Sequence, residues 1–143
     1  MYHEQEDARV CYLAGPSLTA CHETVYFFQA NPEQVKFAKA LWERIRREFP
    51  ELRIYQVWDR PIGPHPVAMF EVNIFTPAQF GAFIPWLVIN RGPLSALVHP
   101  NTEDEGEEER NHTQRATWMG AALPLDLSLF KKMAERKAAK QAN

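Results

Sequence analysis

The sequence predicts an α+β domain with the element order β-α-β-β-α-β. Three observations predict it. Two helix-start signatures, Asn31-Pro32-Glu33-Gln34 and Thr76-Pro77-Ala78-Gln79, each open a run of apolar residues at helical spacing. Segments of alternating apolar and polar residues, rich in aromatic and β-branched types, lie on either side of both helices. The chain has 143 residues, the length of one domain, and 45% are apolar, enough for a core without disulfide or metal staples.

Residues 1–20 read as an arm, with Ala14-Gly15-Pro16-Ser17 as a turn. A first strand is expected over 22–28. In the first helix Asn31 caps, Pro32 sits where its missing N–H is harmless, and Gln34 can reach back in a capping box. Val35, Ala38, Leu41, Trp42, Ile45 and Phe49 then recur on one face until Pro50 stops the helix. A second strand over 52–58 leads into the turn-rich run Asp59-Arg60-Pro61-Ile62-Gly63-Pro64-His65-Pro66, and a third strand covers 67–75. The second helix carries Phe80, Phe83, Ile84 and Leu87, is expected to kink at Pro85, and stops near Gly92-Pro93. A fourth strand follows over 94–99. The order is the ferredoxin-like one, a four-stranded antiparallel sheet with two helices on one face, within a domain spanning 21–123. Residues 124–143 form a tail whose Lys- and Ala-rich end reads as a short exposed helix or a frayed terminus.

Charge excludes some function classes. A net charge of −2 offers no general attraction to nucleic acid, and no stretch approaches the ~20 uncharged apolar residues of a membrane span. The acidic, polar start Met1-Tyr2-His3-Glu4 does not read as a secretory signal, so a cytoplasmic protein is expected, with Cys11 and Cys21 as reduced thiols. Six acids crowd around Gly106, in a stretch 103–111 expected to be a solvated, mobile loop.

Strand alternation separates two faces. Ala68, Phe70, Val72 and Ile74, with Leu94, Ala96, Val98, Val25 and Phe27, form the set that should meet the helices. The opposite set gathers His22, Tyr26, Glu71, Asn73, Ser95 and His99. Polar groups on a covered sheet face need partners, so this is where function is expected. Helices cover only one face, and a second copy is the expected cover for the other, giving a dimeric α+β barrel.

Several blocks resemble the DOPA 4,5-dioxygenase family: Val25-Tyr26-Phe27, Trp58 through Pro66, Met69-Phe70-Glu71-Val72, Pro85 through Gly92, Leu97-Val98-His99-Pro100-Asn101-Thr102, His112-Thr113 and Ala116-Thr117-Trp118-Met119-Gly120. They run in order from about residue 22 to 120. The resemblance implies a homodimeric, metal-dependent extradiol-type dioxygenase that opens a catechol or related small aromatic ring with O2, in secondary metabolism. It implies Fe(II), or another divalent metal, held by His22, His65 and His99 with Glu71 available. His65, His112 and Glu71 would be catalytic, and Tyr26, Asn73, Asn90 and Arg91 would bind substrate.

The sequence also departs from the family. The His-x-His pair common before Val-Tyr-Phe is here His22-Glu23-Thr24, and Trp58 stands where many relatives have a histidine. Two alternatives therefore stay open: a repurposed isomerase, cyclase or dehydratase without redox chemistry, its metal site degraded at Thr24, and a non-catalytic dimer that binds a small molecule. Single residues carry alternatives too. His112 can simply cap a helix, His65 can be a turn residue in water, and Glu71 can pair with Arg60 or Arg91.

Overall fold

The computed structural model describes residues 18–104 and 106–142, with the side chains of Leu18 and Thr19 left aside. The expected Ala14–Ser17 turn, Cys11 and His3 lie outside the described residues. Strand β1 (Leu18–Phe27) is followed by helix α1 (Pro32–Glu48), strands β2 (Arg53–Ile54) and β3 (Ala68–Ile74), helix α2 (Pro77–Asn90) and strand β4 (Ser95–Thr102). A short helix α3 (Glu108–His112), strand β5 (Thr117–Met119) and helix α4 (Ser128–Gln141) complete the chain.

The sheet order is β2-β3-β1-β4-β5, with every neighbouring pair antiparallel. The first four strands keep the expected order of connection, but the sheet has five strands rather than four. The addition is Thr117–Met119, which pairs with Ala96–Val98 along the outer edge of β4. Three residues are too few to show a period of two, so only the waiting edge of β4 makes them a strand. The second strand is conversely shorter than expected: beyond Ile54 the 52–58 segment keeps the Tyr55 N–H bond to the Glu71 carbonyl and the Trp58–Met69 bridge.

Both helix starts are capped by the expected residues, with a change of detail. Asn31 Oδ1 accepts from the Glu33 and Gln34 N–H groups, and Thr76 Oγ1 accepts from Gln79 N–H. Gln34 and Gln79 reach back past their caps to accept from the N–H groups of Phe28 and Phe75. Each glutamine thus ties a helix to the end of the preceding strand. Helix α2 runs from Pro77 to Asn90 with Pro85 inside it. Its exit needs Gly92, at φ +55°, where an added Cβ would lie 2.3 Å from the Phe37 ring.

The main core fills the layer between helices and sheet. Val25, Phe27, Ala68, Phe70, Val72, Ile74, Leu94 and Ala96 meet Ala38, Leu41, Ile45, Phe83 and Leu87, as alternation predicts. The opposite face bears a smaller cluster of Tyr26, Met69 and Leu97, overlaid by Trp58, Ile62, Val67, Trp118, Leu123 and Leu125. The chain therefore covers part of that face itself.

In the last third one expectation needs correction and another is met. The acidic run is partly folded, because Arg115 meets Asp104 at 3.2 Å and Arg110 and Arg115 both reach Glu107. Those guanidiniums offset the repulsion that would keep the run extended. The end of the chain forms the exposed helix that is one of its two expected forms, α4, with its start anchored on the domain. Asp126 N–H donates to the Pro64 carbonyl, and Phe130 is buried.

A candidate metal centre on the open face of the sheet

Strand β1 lies in the middle of the sheet, and its register decides what meets. His22 pairs across to His99 of β4 and to Asn73 of β3. Thr24, two residues on, pairs with Leu97 and Glu71. His22, His99 and Glu71 therefore share one face within a single step of the ladder, where cross-strand and diagonal neighbours touch. One ligand atom from each lies within 4.8 Å of the others. His22 Nδ1 stands 3.2 Å from Glu71 Oε1, so the Glu71 carboxylate meets His22 rather than Arg60 or Arg91.

The other two described histidines adjoin this group. The His112 ring, at the end of α3, lies with its centroid 4.0 Å from that of His99. His65 arrives from the proline-rich loop, and its Nδ1 is 2.7 Å from the Tyr26 hydroxyl. Its ring is 6.3 Å from that of His112, so His65 belongs to the rim of the cluster and not to the three-residue group.

Local bonds set the tautomers. His99 Nδ1 donates to the Pro100 carbonyl at 3.2 Å, and His112 Nδ1 donates to the Glu108 carbonyl at 2.7 Å. Each leaves its Nε2 lone pair available. His99 is 4% exposed, and its Nε2 is buried without a protein partner. Burial, and after it the proximity of His112, lowers the His99 pKa to about 3 and that of His65 to about 4. Burial lowers His112 as well. Burial also pushes the Tyr26 phenol above its usual range, so it keeps its proton and donates to His65. These imidazoles are neutral at pH 7, the form that ligates metals and takes up protons.

The remaining expected residues are placed unevenly. Asn73 is buried on the same face beside His22, with Nδ2 3.4 Å from the Tyr55 hydroxyl and Oδ1 without a protein partner. Asn90 is engaged at the end of α2, where it accepts from Arg44 and donates to the Trp86 carbonyl. Arg91 donates to the Leu94 carbonyl and leans on Gly120. Asn90 and Arg91 are thus not brought into the histidine group. Trp58 packs in the small apolar cluster, and Thr24 is fully buried with its hydroxyl unpartnered.

Sequence reasoning missed three contributors. Trp118 stacks on Tyr26 at 5.5 Å, and the Phe130 ring lies 4.9 Å from His112. Asn111, buried, donates to Thr102 and accepts from Arg115, which anchors the helix that delivers His112. Only Trp118 sat in a recognisable block; nothing in the sequence marked the other two.

A two-histidine, one-carboxylate group on an antiparallel sheet is the donor set of non-haem iron oxygenases. The family model for the Dopa 4,5-dioxygenase family matches residues 21–129, and the chain belongs to this family. It is 76% identical over 119 residues to an uncharacterised 21.2 kDa protein of Botryotinia fuckeliana, covering 80% of this chain and 65% of that one. It is 37% identical over 113 residues to a DOPA 4,5-dioxygenase of Amanita muscaria, covering 75% of this chain and 47% of that enzyme. The chain thus spans less than two thirds of the length of either relative. A crystal structure of a Nostoc punctiforme protein, provisionally named a dioxygenase, superposes with a TM-score of 0.66 at 33% identity, covering 81% of this chain and 94% of that one.

Proposed function

We propose that this chain is a metal-dependent, extradiol-type dioxygenase acting on a catechol or related small aromatic metabolite. The observation that carries the reading is the His22, Glu71 and His99 group, its ligand atoms within 4.8 Å of one another. The buried, unpartnered Nε2 of His99 fits a metal, since an orphaned lone pair in a dry site is costly without one. Two imidazoles and a carboxylate suit Fe(II), with another divalent metal as the fallback. Iron held there supplies a Lewis acid for the catechol oxygens and a partner for O2.

The chain's own residues supply the rest. His112, neutral and with its Nε2 lone pair free, is the group to accept a proton that a catechol sheds on binding. His65, its Nδ1 taken by the Tyr26 hydroxyl, has an Nε2–H to donate to the substrate. Tyr26 fixes the His65 ring through its hydroxyl, and with Asn73 it faces the substrate. The reaction balances without an external reductant: both oxygen atoms enter the product as the ring carbon–carbon bond beside a hydroxyl breaks. Asn90 and Arg91 hold the end of α2 in this reading. A homodimer is part of the proposal, supported by the half-exposed Tyr55 and Phe75 on the sheet face that bears Asn73, and checked by sedimentation of the purified protein.

Anaerobic loading with Fe(II) should give about one iron per chain. The loaded protein should then consume one O2 per catechol opened. No bound metal and no oxygen uptake with any catechol would reject the reading.

One observation favours a second reading, non-redox chemistry at the same site: the family's second histidine is Thr24 here. That reading expects turnover without oxygen and in the presence of a chelator. Thr24→His separates the two through metal affinity, although an imidazole at so enclosed a position costs about 1–3 kcal/mol in packing.

A further inference from the structure

Beside the histidine cluster lies a groove of about 290 Å³, lined by His112, Trp118, Leu123, Pro124, Leu125 and Leu127 with Thr113. It is at the small end of ligand sites, room for an aromatic ring with a short chain rather than for a polymer. His112 belongs both to this groove and to the cluster, its ring 4.0 Å from that of His99. Trp118 joins the groove to the Tyr26 ring on which it stacks. Five of the seven lining residues are apolar, and no Lys or Arg is among them. The described guanidiniums nearest in sequence are occupied, Arg110 on Glu107 and Gln114 and Arg115 on Asp104 and Asn111.

We propose that this groove takes the ring substituent of the substrate, and that the preferred substrate is a catechol bearing a neutral, apolar side chain rather than an amino-acid one. This rests on the catechol reading above. With the ring oxygens at the His22 side, the substituent passes His112 and lies against Trp118 and the leucines. An alkyl chain there packs on Trp118 and the leucine side chains, whereas a carboxylate finds no Lys or Arg among the lining residues to offset the hydration it gives up.

Calorimetric titration of the metal-free chain with catechol, 4-methylcatechol, 4-ethylcatechol, 4-butylcatechol and DOPA tests this apart from turnover. Affinity should tighten by up to about fourfold per added methylene, and 4-butylcatechol should bind at least tenfold more tightly than DOPA. Leu127→Lys, its fold checked by circular dichroism, should narrow or invert that preference. A flat alkyl series, DOPA binding as tightly as 4-butylcatechol, or no binding by either overturns the inference. Oxygen uptake by the iron-loaded protein tests the underlying reading separately. If uptake occurs but is fastest with DOPA, only the groove assignment falls. If the alkyl series binds as expected and no catechol consumes oxygen, only the dioxygenase reading falls.

Discussion

The two faces of the sheet are built from the same strands yet obey opposite rules. Toward α1 and α2 the strands present Val25, Phe27, Phe70, Val72 and Ile74, and that layer is closed and apolar. On the other face the same strands present His22, Tyr26, Glu71, Asn73 and His99, under a partial cover of loop residues and α4. Each face holds a polar feature that burial penalises, but the penalties differ in kind. On the open face imidazoles are gathered where neutrality is useful. On the closed face Glu23 is 0% exposed, both its oxygens lack protein partners, and burial, with Glu71 next, raises its pKa to about 9. It lies between His22 and Thr24 in β1, on the opposite side of the sheet from the histidine group.

The contrast can be broken from either side. The largest effect should come from His99→Ala, which removes a donor outright. Metal affinity should fall by more than the roughly 10–100-fold that loss of a supporting partner costs, with oxygen uptake lost and the thermal midpoint of the metal-free protein little moved. Phe70→Ala is the mirror experiment: about 3–5 kcal/mol of stability should disappear, measured by chemical denaturation, while each folded molecule still binds metal.

A pH series separates the faces without removing either. The unfolded chain ionises Glu23 near its ordinary carboxylate range, whereas the fold holds its proton up to about pH 9. Stability is therefore greatest at low pH as far as Glu23 is concerned, and is eroded as pH rises toward 9, by up to about 1.4 kcal/mol per unit. His65 and His99 act in the opposite sense. Their folded pKa values, about 4 and about 3, lie below the unfolded value, so metal-free stability declines as pH falls below about 6.5. Glu23→Gln should flatten the alkaline arm of the stability profile and leave the acid arm in place. An unchanged alkaline arm would mean that Glu23 is ionised in the fold. The smallest effect is expected from Tyr26→Phe, which frees the His65 ring: turnover about tenfold lower, stability changed by about 1 kcal/mol.

Much of this was legible in the chain because it is local. Asn31 and Thr76 announce their helices through side-chain oxygens one turn from the N–H groups they accept. The Ala68–Ile74 alternation assigns Glu71 and Asn73 to the open face before any neighbour is known. What was not legible depends on partners distant in sequence. Thr117–Met119 becomes a strand only because β4 has an unfilled edge. The expected ligand set took His65 with His22 and His99, whereas the tightest group has Glu71 in its place. The direction of a side chain leaving a proline-rich loop has no periodicity to betray it, while Glu71 is fixed by ladder register. Glu23 was invisible for another reason: extending the alternation of Val25 and Phe27 puts a carboxylate on the core side, against the pattern itself.

The hydrogen bond from Asp126 N–H to the Pro64 carbonyl joins the connecting segment after β5 to the loop that carries His65. Strands hold His22, Glu71 and His99, while this stretch outside the strands supplies most of the groove wall. If the groove takes the substituent as proposed, substitutions between Gly120 and Ser128 would exchange one guest molecule for another with His22, Glu71 and His99 undisturbed. A lineage carrying this scaffold has one stretch free to diversify and another fixed by ladder register, a division that lets new preferences arise without rebuilding the reactive centre.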